Sequence, residues 1–245
     1  MRPRFVDCHS HVVPSGDDGA QTFEEGLELC ELAARTGTEL LYATPHVSPL
    51  VPLTGGREAR VRAAFERLCE QVPLELRLGY ELTPMPPLLR EDPARYVLEG
   101  TELVLVEVPF TGPADGFLEV ADHIEAAGLV PLVAHPERTE AVRLDRALPA
   151  RLLERGWPLQ VNATSLLGRH GPEAAASGWE LVESGGAAIV ASDGHRLTRA
   201  ARLDEAYELV RGRVGEETAA PLFDGSALGV TSLRPTPSRA GARGA

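Results

Sequence analysis

The sequence predicts one α/β domain in which parallel strands form a barrel, and three observations lead to this prediction. The chain has 245 residues, enough for one well-packed core. Apolar runs and helical patterns alternate along it in about seven strand-then-helix units. No Gly-rich phosphate-binding motif follows the first strand, which argues against the main rival, an open doubly wound sheet. We therefore expect a parallel sheet closed, or nearly closed, into a barrel.

The first half of the chain holds the clearest elements. A strand at FVDC is followed by a helix in which Thr22 and Glu25 form a capping box and Gly37 provides the stop. The second strand is ELLYA, and the apolar residues after it recur at helical spacing, which predicts a second helix. A third strand follows at LELRLG.

The second half continues the alternation after a Pro-rich segment, LTPMPPLLREDPARY. The run ELVLVEV is typical of a buried parallel strand. The remaining strands are LVPLVA, PLQV and AAIVA, and the predicted helices cover 114–128, 140–155, 172–184 and 198–212. The C-terminal residues are rich in Pro, Arg, Gly and Ala without apolar periodicity, so we expect a domain over 1–231 and a flexible tail over 232–245.

Composition limits the classes of function. The formal net charge of -12 should repel nucleic-acid backbones and anionic lipid surfaces, so neither partner is expected. No apolar stretch approaches the ~20 residues that span a bilayer, and the N-terminus lacks the apolar core of a signal peptide. We therefore expect a cytoplasmic protein without membrane insertion. Cys8, Cys30 and Cys69 are far apart, which argues against a disulfide framework or a Cys-based zinc site.

Histidines and carboxylates recur where the predicted strands end. The set comprises His9, His11, His46, Glu81, Glu107, His135, Asp193 and His195. The C-terminal ends of parallel strands converge on one face of a barrel, where such folds build their sites. Imidazole and carboxylate are ligands of divalent transition metals, and a set this large implies more than one ion. Asp18, or less favourably Asp17, could add an oxygen ligand, and Asp7 is expected to orient a ligand histidine through its other ring nitrogen.

Each of these motifs also has an ordinary explanation when taken alone. HSH is more often part of a turn, SDGH contains a common Asp-Gly turn, and Glu107 could pair with a core arginine. His123 and His170 lie away from strand ends and are interpreted as ordinary surface residues. Only the joint placement of the set at successive strand ends favours metal binding.

The ordered motifs DCHSH, DDG, ATPH, GYE, VEVPF, AHPER, QVNATSL and ASDGH resemble the PHP (polymerase and histidinol phosphatase) superfamily. Within it, the chain is similar to the bacterial capsule-type manganese-dependent protein-tyrosine phosphatases, which act on tyrosine-autokinases of exopolysaccharide synthesis. The resemblance runs from residue 5 to about 205. It implies a distorted (β/α)7 barrel of the PHP type that holds a three-metal cluster of Mn²⁺, with Fe or Zn as alternatives.

The resemblance also implies roles for individual residues. His9, His11, Glu81 and Asp193 would hold one metal, Glu81, Glu107 and His135 a second, and Asp18, His46 and His195 a third. Arg138 in HPER matches the family arginine that grips the phosphate, and Arg199 is the best match for a second. Two departures bear on substrate specificity: the segment after SDGH is one residue shorter than the family pattern, and His46 is followed by Val47 instead of a second histidine.

The implied function is hydrolysis of phosphotyrosine on a protein, with a flexible kinase tail as the expected partner and a homo-oligomer left open. A Cys-x5-Arg phosphatase loop is not present around Cys8, because Pro14 stands where the arginine would be needed. One alternative is a small-molecule phosphatase acting on histidinol phosphate or a nucleotide with the same metals. The other is a barrel that serves as a non-catalytic binding or regulatory module. A polymerase-associated nuclease is disfavoured by the acidic net charge.

Overall fold

The computed structural model describes residues 4–230, so the predicted domain boundary at 231 and the tail at 232–245 lie outside the described residues. The strands within this range are β1 (Phe5–Asp7), β2 (Thr38–Ala43), β3 (His46–Val47), β4 (Glu75–Leu78), β5 (Glu81–Leu82), β6 (Leu103–Glu107), β7 (Val130–Ala134), β8 (Leu159–Asn162) and β9 (Ala187–Ala191). The helices are α1 (Phe23–Arg35), α2 (Gly55–Cys69), α3 (Asp115–Ala126), α4 (Glu140–Leu144), α5 (Leu148–Glu154), α6 (Ala163–Leu166), α7 (Pro172–Glu183), α8 (Asp204–Val214) and α9 (Glu216–Ala219). Short 3-10 helices occupy Pro86–Arg90, Pro93–Tyr96, Pro136–Arg138, Ala220–Leu222 and Ser226–Leu228.

All the strand pairs are parallel. They form a three-stranded sheet in the order β1-β2-β4 and a six-stranded sheet in the order β3-β5-β6-β7-β8-β9. Only two residues separate β2 from β3, and two separate β4 from β5. The strands β3 and β5 were not predicted, and they lie just beyond the predicted strands ELLYA and LELRLG. Each of these short strands begins with a candidate ligand, because His46 opens β3 and pairs with Glu81, which opens β5.

Hydrogen bonds join the last strand to the first. The backbone N–H of Asp193 donates to the carbonyl of His9 (2.9 Å), and that of His11 donates to the carbonyl of Gly194 (2.7 Å). Ser10 and Gly194 form a parallel bridge between these two donors. The parallel sheets confirm the predicted α/β class, and this contact between the two ends is what a distorted (β/α)7 barrel requires.

The core consists of two apolar clusters, because successive strand residues point to opposite faces. The smaller one, called the inner cluster below, takes alternate residues from five strand segments and consists of Val6, Cys8, Leu40, Tyr42, Leu98, Leu103, Leu105, Leu132, Ala134, Ile189, Ala191 and Val230. The larger cluster packs the other strand face against the helices. It includes Leu41 and Val106 from the strands and Leu29 and Phe117 from the helices.

Helix α1 confirms the predicted helix and its cap. The Glu25 N–H donates to the Thr22 hydroxyl (3.2 Å), and Gly37 adopts a left-handed φ of 110° just beyond the helix. The Glu25 carboxylate accepts from the Gln21 N–H instead of the Thr22 N–H, so only one half of the capping box forms.

Two predicted helices are wrong in extent. The 140–155 segment is two helices, α4 and α5, because the Asp145 carboxylate accepts from the Ala147 N–H in a local turn and Pro149 lies in the first turn of α5. The helix predicted at 198–212 begins only at Asp204, since the Arg199 N–H donates to the carbonyl of Arg196 in a turn. The short helices α6 and α9 were not predicted. Among the helices of residues 4–230, none is both long and apolar enough to cross a membrane.

Candidate metal centre

The structure brings the predicted ligands together at the C-terminal ends of the strands. We call this group the strand-end cluster: His9, His11, Asp18, His46, Glu81, Glu107, His135, Asp193 and His195. Its members are buried, apart from the partly accessible His46 and the Asp18 side chain, which is 72% exposed. The N-terminal loop reaches the cluster through Gly19, where an added Cβ would lie 2.4 Å from the carbonyl oxygen of His11.

Four side chains face one another at the centre of the cluster. His9 Nε2 lies 3.2 Å from His11 Nε2, and Glu81 Oε2 lies 3.2 Å and 3.3 Å from these two nitrogens. Asp193 Oδ1 lies 3.5 Å from each of the same nitrogens. Two imidazoles and two carboxylates therefore direct ligand atoms toward a common point, as a divalent cation requires.

The other members extend the site on both sides. His135 Nε2 lies 2.9 Å from Glu81 Oε1, and His46 Nδ1 lies 3.0 Å from Glu81 Oε2. Asp18 Oδ1 lies 3.3 Å from His46 Nε2 and 3.4 Å from His195 Nε2. The Glu81 carboxylate thus lies between His135 on one side and His46 on the other.

Three sets of described residues have ligand atoms that lie within 4.8 Å of one another: His11 with His46 and His195, His9 with Glu81 and His135, and His9 with His11 and Asp193. These sets overlap the three groups of ligands that the family resemblance implies. They differ in that His11 also lies with His46 and His195, and His9 also lies with Glu81 and His135. Glu107 is in none of them, and its carboxylate accepts from the Thr83 hydroxyl.

The residues present fit divalent metal ions. Glu81 Oε2 is fully buried and has no hydrogen-bond donor among the described residues. A buried carboxylate oxygen without a donor is costly, and a cation held between it and the imidazoles would remove that cost. Nitrogen and carboxylate ligands suit Mn²⁺, Fe²⁺ and Zn²⁺ alike, so the donor set alone does not select one of them.

Backbone strain is concentrated at the same place. His135, with φ 34°, and Asp193, with φ 50°, are the non-glycine residues between 4 and 230 that have positive φ. Such conformations are uncommon outside glycine and persist where the surrounding structure holds them, frequently at functional sites. His135 follows β7 directly, Asp193 follows β9 after one intervening residue, and both carry a candidate ligand atom.

The charges of the cluster offset one another. Burial alone would raise the pKa of Glu81, but the neighbouring His9 and His46 hold it well below its usual range. Burial alone would lower the pKa of His9, and the carboxylates of Glu81 and Asp193 outweigh this and raise it. Without a cation the His9 ring therefore holds a second proton up to a higher pH than an ordinary histidine does, and this proton must leave before the nitrogen can bind a metal.

Two polar residues of β8 support the ligands. They belong to the QVNATSL motif, but the sequence analysis gave neither of them a role. Gln160 Oε1 lies 3.0 Å from His9 Nδ1, and the Gln160 amide donates to Asn162 Oδ1 (2.8 Å). Asn162 Nδ2 in turn donates to Asp193 Oδ2 (2.7 Å). With Nδ1–H donated to Gln160, His9 keeps the lone pair of Nε2 for a metal. The signal was the presence of two polar residues in a short strand whose other residues, Leu159 and Val161, are apolar.

The prediction for Asp7 was wrong. Its Oδ1 accepts from the backbone N–H groups of Ser192 (3.0 Å) and His9 (3.3 Å), not from a ring nitrogen. Asp7 therefore ties the first strand to the last. Asp17 lies closer to the predicted role, because its Oδ2 accepts from the His46 N–H (3.0 Å) and lies 3.7 Å from His11 Nδ1.

Both predicted arginines border the cluster. Arg138 Nη1 donates to Asp193 Oδ2 (2.9 Å). Arg199 Nη2 contacts the His195 ring and lies 3.6 Å from Asp193 Oδ1. Guanidinium groups bind phosphate through paired hydrogen bonds, so the two side chains give the site a place for an anion beside the candidate metals.

The interpretation of His123 and His170 as ordinary surface residues needs correction. Both are half-buried: His123 Nε2 lies 2.9 Å from the Glu91 carbonyl, and His170 Nδ1 lies 3.1 Å from the Ser165 hydroxyl. Burial and the nearby Arg138 lower the pKa of His170 to about 4. Neither histidine joins the three sets of candidate ligands.

Comparison with known proteins gives one consistent result. The model of the family "Capsular polysaccharide synthesis, CpsB/CapC" matches residues 5–230. The tyrosine-protein phosphatase YwqE of Bacillus subtilis is 29% identical over 232 residues, covering 91% of each chain. The putative tyrosine-protein phosphatase CapC of Staphylococcus aureus is 26% identical, covering 79% of this chain and 78% of CapC.

A solved structure supports the same relationship. It comes from crystal structures of YwqE from Bacillus subtilis and CpsB from Streptococcus pneumoniae, described as unique metal-dependent tyrosine phosphatases. The similarity has a TM-score of 0.79 at 29% identity and covers 89% of this chain and 90% of the other. The whole described fold, including the strand-end cluster, lies within the range that the family model matches.

Proposed function

This chain belongs to the capsular polysaccharide synthesis family CpsB/CapC, and from that premise we propose that it is a metal-dependent protein-tyrosine phosphatase. The observation that carries the proposal is the strand-end cluster with two arginines at its edge. Buried imidazoles and carboxylates converge there, and Arg138 and Arg199 lie beside the same ligand, Asp193. Phosphomonoester hydrolysis needs both parts, a metal-activated water and cationic groups for the phosphoryl oxygens.

We propose that the residues of the strand-end cluster are the metal ligands. They are His9, His11, Asp18, His46, Glu81, Glu107, His135, Asp193 and His195. Bound divalent cations supply Lewis acidity, which lowers the pKa of a water and screens the phosphoryl oxygens. We propose Mn²⁺ as the resident metal because of the family resemblance. Fe and Zn remain alternatives with the same donor set.

Arg138 and Arg199 bind the phosphoryl oxygens in this proposal. Asp193 accepts a hydrogen bond from Arg138, which fixes the guanidinium while its other N–H groups stay available to an anion. Arg138 also lies over the ring of Phe110, 4.6 Å from its centroid. Tyrosine phenol has a pKa of about 10, so a phenolate can leave without a strong general acid.

A cysteine nucleophile does not fit the structure. Cys8 is the cysteine nearest to the candidate ligands in sequence, yet its side chain packs in the inner cluster with Leu40 and Tyr42. Burial raises the pKa of this thiol well above its usual value, whereas a nucleophilic cysteine needs a stabilised thiolate. In this proposal the nucleophile would be a water, which metals held by the strand-end cluster would activate.

We further propose that the substrate is a phosphotyrosine on a flexible tail of a tyrosine-autokinase that acts in capsule or exopolysaccharide synthesis. The names of the relatives, tyrosine-protein phosphatases, support this choice of substrate. The cytoplasmic location and a homo-oligomer stay predictions from the sequence.

The test is phosphate release by protein stripped of metal and reloaded with Mn²⁺. A phosphotyrosine peptide and histidinol phosphate serve as the two substrates. His135→Ala removes a candidate ligand, and His123→Ala is the matched control, a half-buried histidine outside the cluster. We expect metal-dependent release from the peptide, lost in His135→Ala and kept in His123→Ala. Release from histidinol phosphate alone would refute the substrate, and release from neither would favour a non-catalytic module.

A further inference from the structure

Phe110 is an exposed aromatic residue at the rim of the strand-end cluster. Its ring lies nearly parallel to that of His135, with 15° between the planes and 5.4 Å between the centroids. The guanidinium carbon of Arg138 lies 4.6 Å from the same ring. Phe110 thus touches one candidate metal ligand and one candidate phosphate-binding residue.

The loop that carries Phe110 is fixed in place. The Phe110 carbonyl accepts from the Glu140 N–H at the start of α4 (3.0 Å), and the Gly112 N–H donates to the Glu140 carboxylate (2.8 Å). The ring nevertheless remains 44% exposed. Among the described residues, it is the one aromatic side chain in the group of exposed large hydrophobic residues; the others are leucines. A backbone held by two hydrogen bonds to Glu140 therefore presents an open aromatic surface next to the site.

We propose that Phe110 contacts the phenyl ring of phosphotyrosine and makes the site selective for aromatic phosphomonoesters. This inference rests on the proposed phosphatase function. In that function the metals and arginines bind the phosphate, and Phe110 binds the phenyl ring. With its phosphate held by Arg138, a phosphotyrosine directs its ring away from the buried cluster and toward the rim, where Phe110 lies. Aromatic rings pair in offset or edge-to-face arrangements, so the open part of the Phe110 ring is sufficient for contact.

The experiment separates recognition of the ring from recognition of the phosphate. Mn²⁺-loaded protein is titrated with two peptides of one sequence, which carry a non-hydrolysable phosphonate in place of phosphotyrosine or of phosphoserine. Affinities are compared for wild type, Phe110→Ala, Phe110→Trp and Leu209→Ala. Leu209 is a matched control because it is 43% exposed and lies on α8, away from the rim.

We expect Phe110→Ala to lower the affinity ratio of the aromatic to the aliphatic peptide by about two- to tenfold, as the loss of one aromatic pair would. Phe110→Trp should keep the ratio, and Leu209→Ala should leave it unchanged. An equal loss for both peptides would show that Phe110 only supports Arg138, which would overturn the proposal. An unchanged ratio would overturn it as well.

Turnover of the corresponding phosphotyrosine peptide, measured in parallel, reports on the proposed function separately. Wild-type protein that binds both phosphonates but hydrolyses no phosphotyrosine would refute the phosphatase, while the affinity ratio would still decide the role of Phe110. Wild-type protein that binds neither phosphonate would refute both.

Discussion

The inner cluster and the strand-end cluster are formed by the same strands, but the first consists of apolar side chains and the second of charged and polar candidate ligands. On β6, Leu103 and Leu105 belong to the inner cluster, and Glu107 follows two residues later on the same face. On β9, Ile189 and Ala191 are followed in the same way by Asp193. Because strand side chains alternate with a period of two, each series changes from apolar packing to candidate ligand at the end of the strand.

The two clusters differ in what their burial does for the protein. Burial in the inner cluster removes apolar surface from water and stabilises the fold. Burial in the strand-end cluster instead costs stability. Glu81 Oε2 is left without a hydrogen-bond donor, and both His135 and Asp193 have strained φ angles. The same barrel thus provides stability in its interior and places function at the strand ends.

The largest effect that separates the two clusters is expected for Arg138→Lys. Lysine keeps the charge but cannot reproduce the paired hydrogen bonds of a guanidinium, so kcat/KM for a phosphotyrosine peptide should fall by about 10²- to 10³-fold. The free energy of unfolding should barely change, because Arg138 is not part of the apolar core.

Arg143→Lys is the control for this substitution, because Arg143 lies on α4 and pairs on the surface with Glu140 and Glu173. Surface pairs of this kind contribute little, so activity should be kept. Equal activity of the two variants would show that Arg138 does not bind the phosphate.

Leu105→Ala is the corresponding change in the inner cluster. Leu105 is completely buried, and its truncation should destabilise the protein by about 2–5 kcal/mol through lost burial and a residual cavity. Chemical denaturation measures this loss. The kcat of the molecules that stay folded should be unaffected, and a large specific fall in kcat at low temperature would contradict the separation of the two clusters.

Proton release on metal binding is a smaller effect that involves the strand-end cluster alone. Burial alone would lower the pKa of His11, but Asp17, Asp193 and Glu81 outweigh it and raise this pKa well above its usual value. The metal-free ring therefore holds its second proton up to a higher pH than an ordinary histidine does. It must lose this proton to bind a cation, so the affinity for metal should fall as the pH falls.

Calorimetry of Mn²⁺ binding at pH 7 in buffers of different ionisation enthalpy measures this release. The observed heat should vary with the buffer and indicate net loss of protons from the protein. Heats that do not depend on the buffer would show that the rings are already neutral.

The smallest effect is expected at the cap of α1, which belongs to neither cluster. Thr22→Ala removes the acceptor of the Glu25 N–H and should destabilise the protein by about 0.5–2 kcal/mol without changing kcat. Thr22→Ser keeps the hydroxyl and should retain most of the stability. A destabilisation by Thr22→Ser as large as that by Thr22→Ala would show that the cap bond is unimportant.

The parts of the fold that periodicity controls could be predicted from the sequence. Apolar runs located the strands, and the change from period two to helical spacing located α1 and α2. The break between α4 and α5 was missed because it depends on one carboxylate, Asp145, that accepts from the Ala147 N–H. Short local hydrogen bonds of this kind leave no periodic signal.

The candidate ligands could be predicted because the C-terminal ends of parallel strands meet on one face of a barrel, and this does not depend on how individual side chains pack. Their supporting residues could not, since these depend on contacts between distant segments. Asp7 stands beside His9 in the sequence but bonds backbone N–H groups of Ser192 and His9, whereas Gln160, 151 positions away, meets the His9 ring. Sequence adjacency was a poor guide to which side chain orients a ligand.

Metal content measured together with activity tests the central claim most directly. Wild type, His135→Ala, Asp193→Asn and the control His123→Ala are stripped, reloaded with Mn²⁺, freed of excess metal and assayed for bound metal and for phosphotyrosine hydrolysis. We predict more than one Mn²⁺ per wild-type chain, loss of metal and activity together in the two cluster variants, and neither loss in His123→Ala. Full metal content in the cluster variants, or full activity in stripped wild type, would contradict a strand-end metal centre.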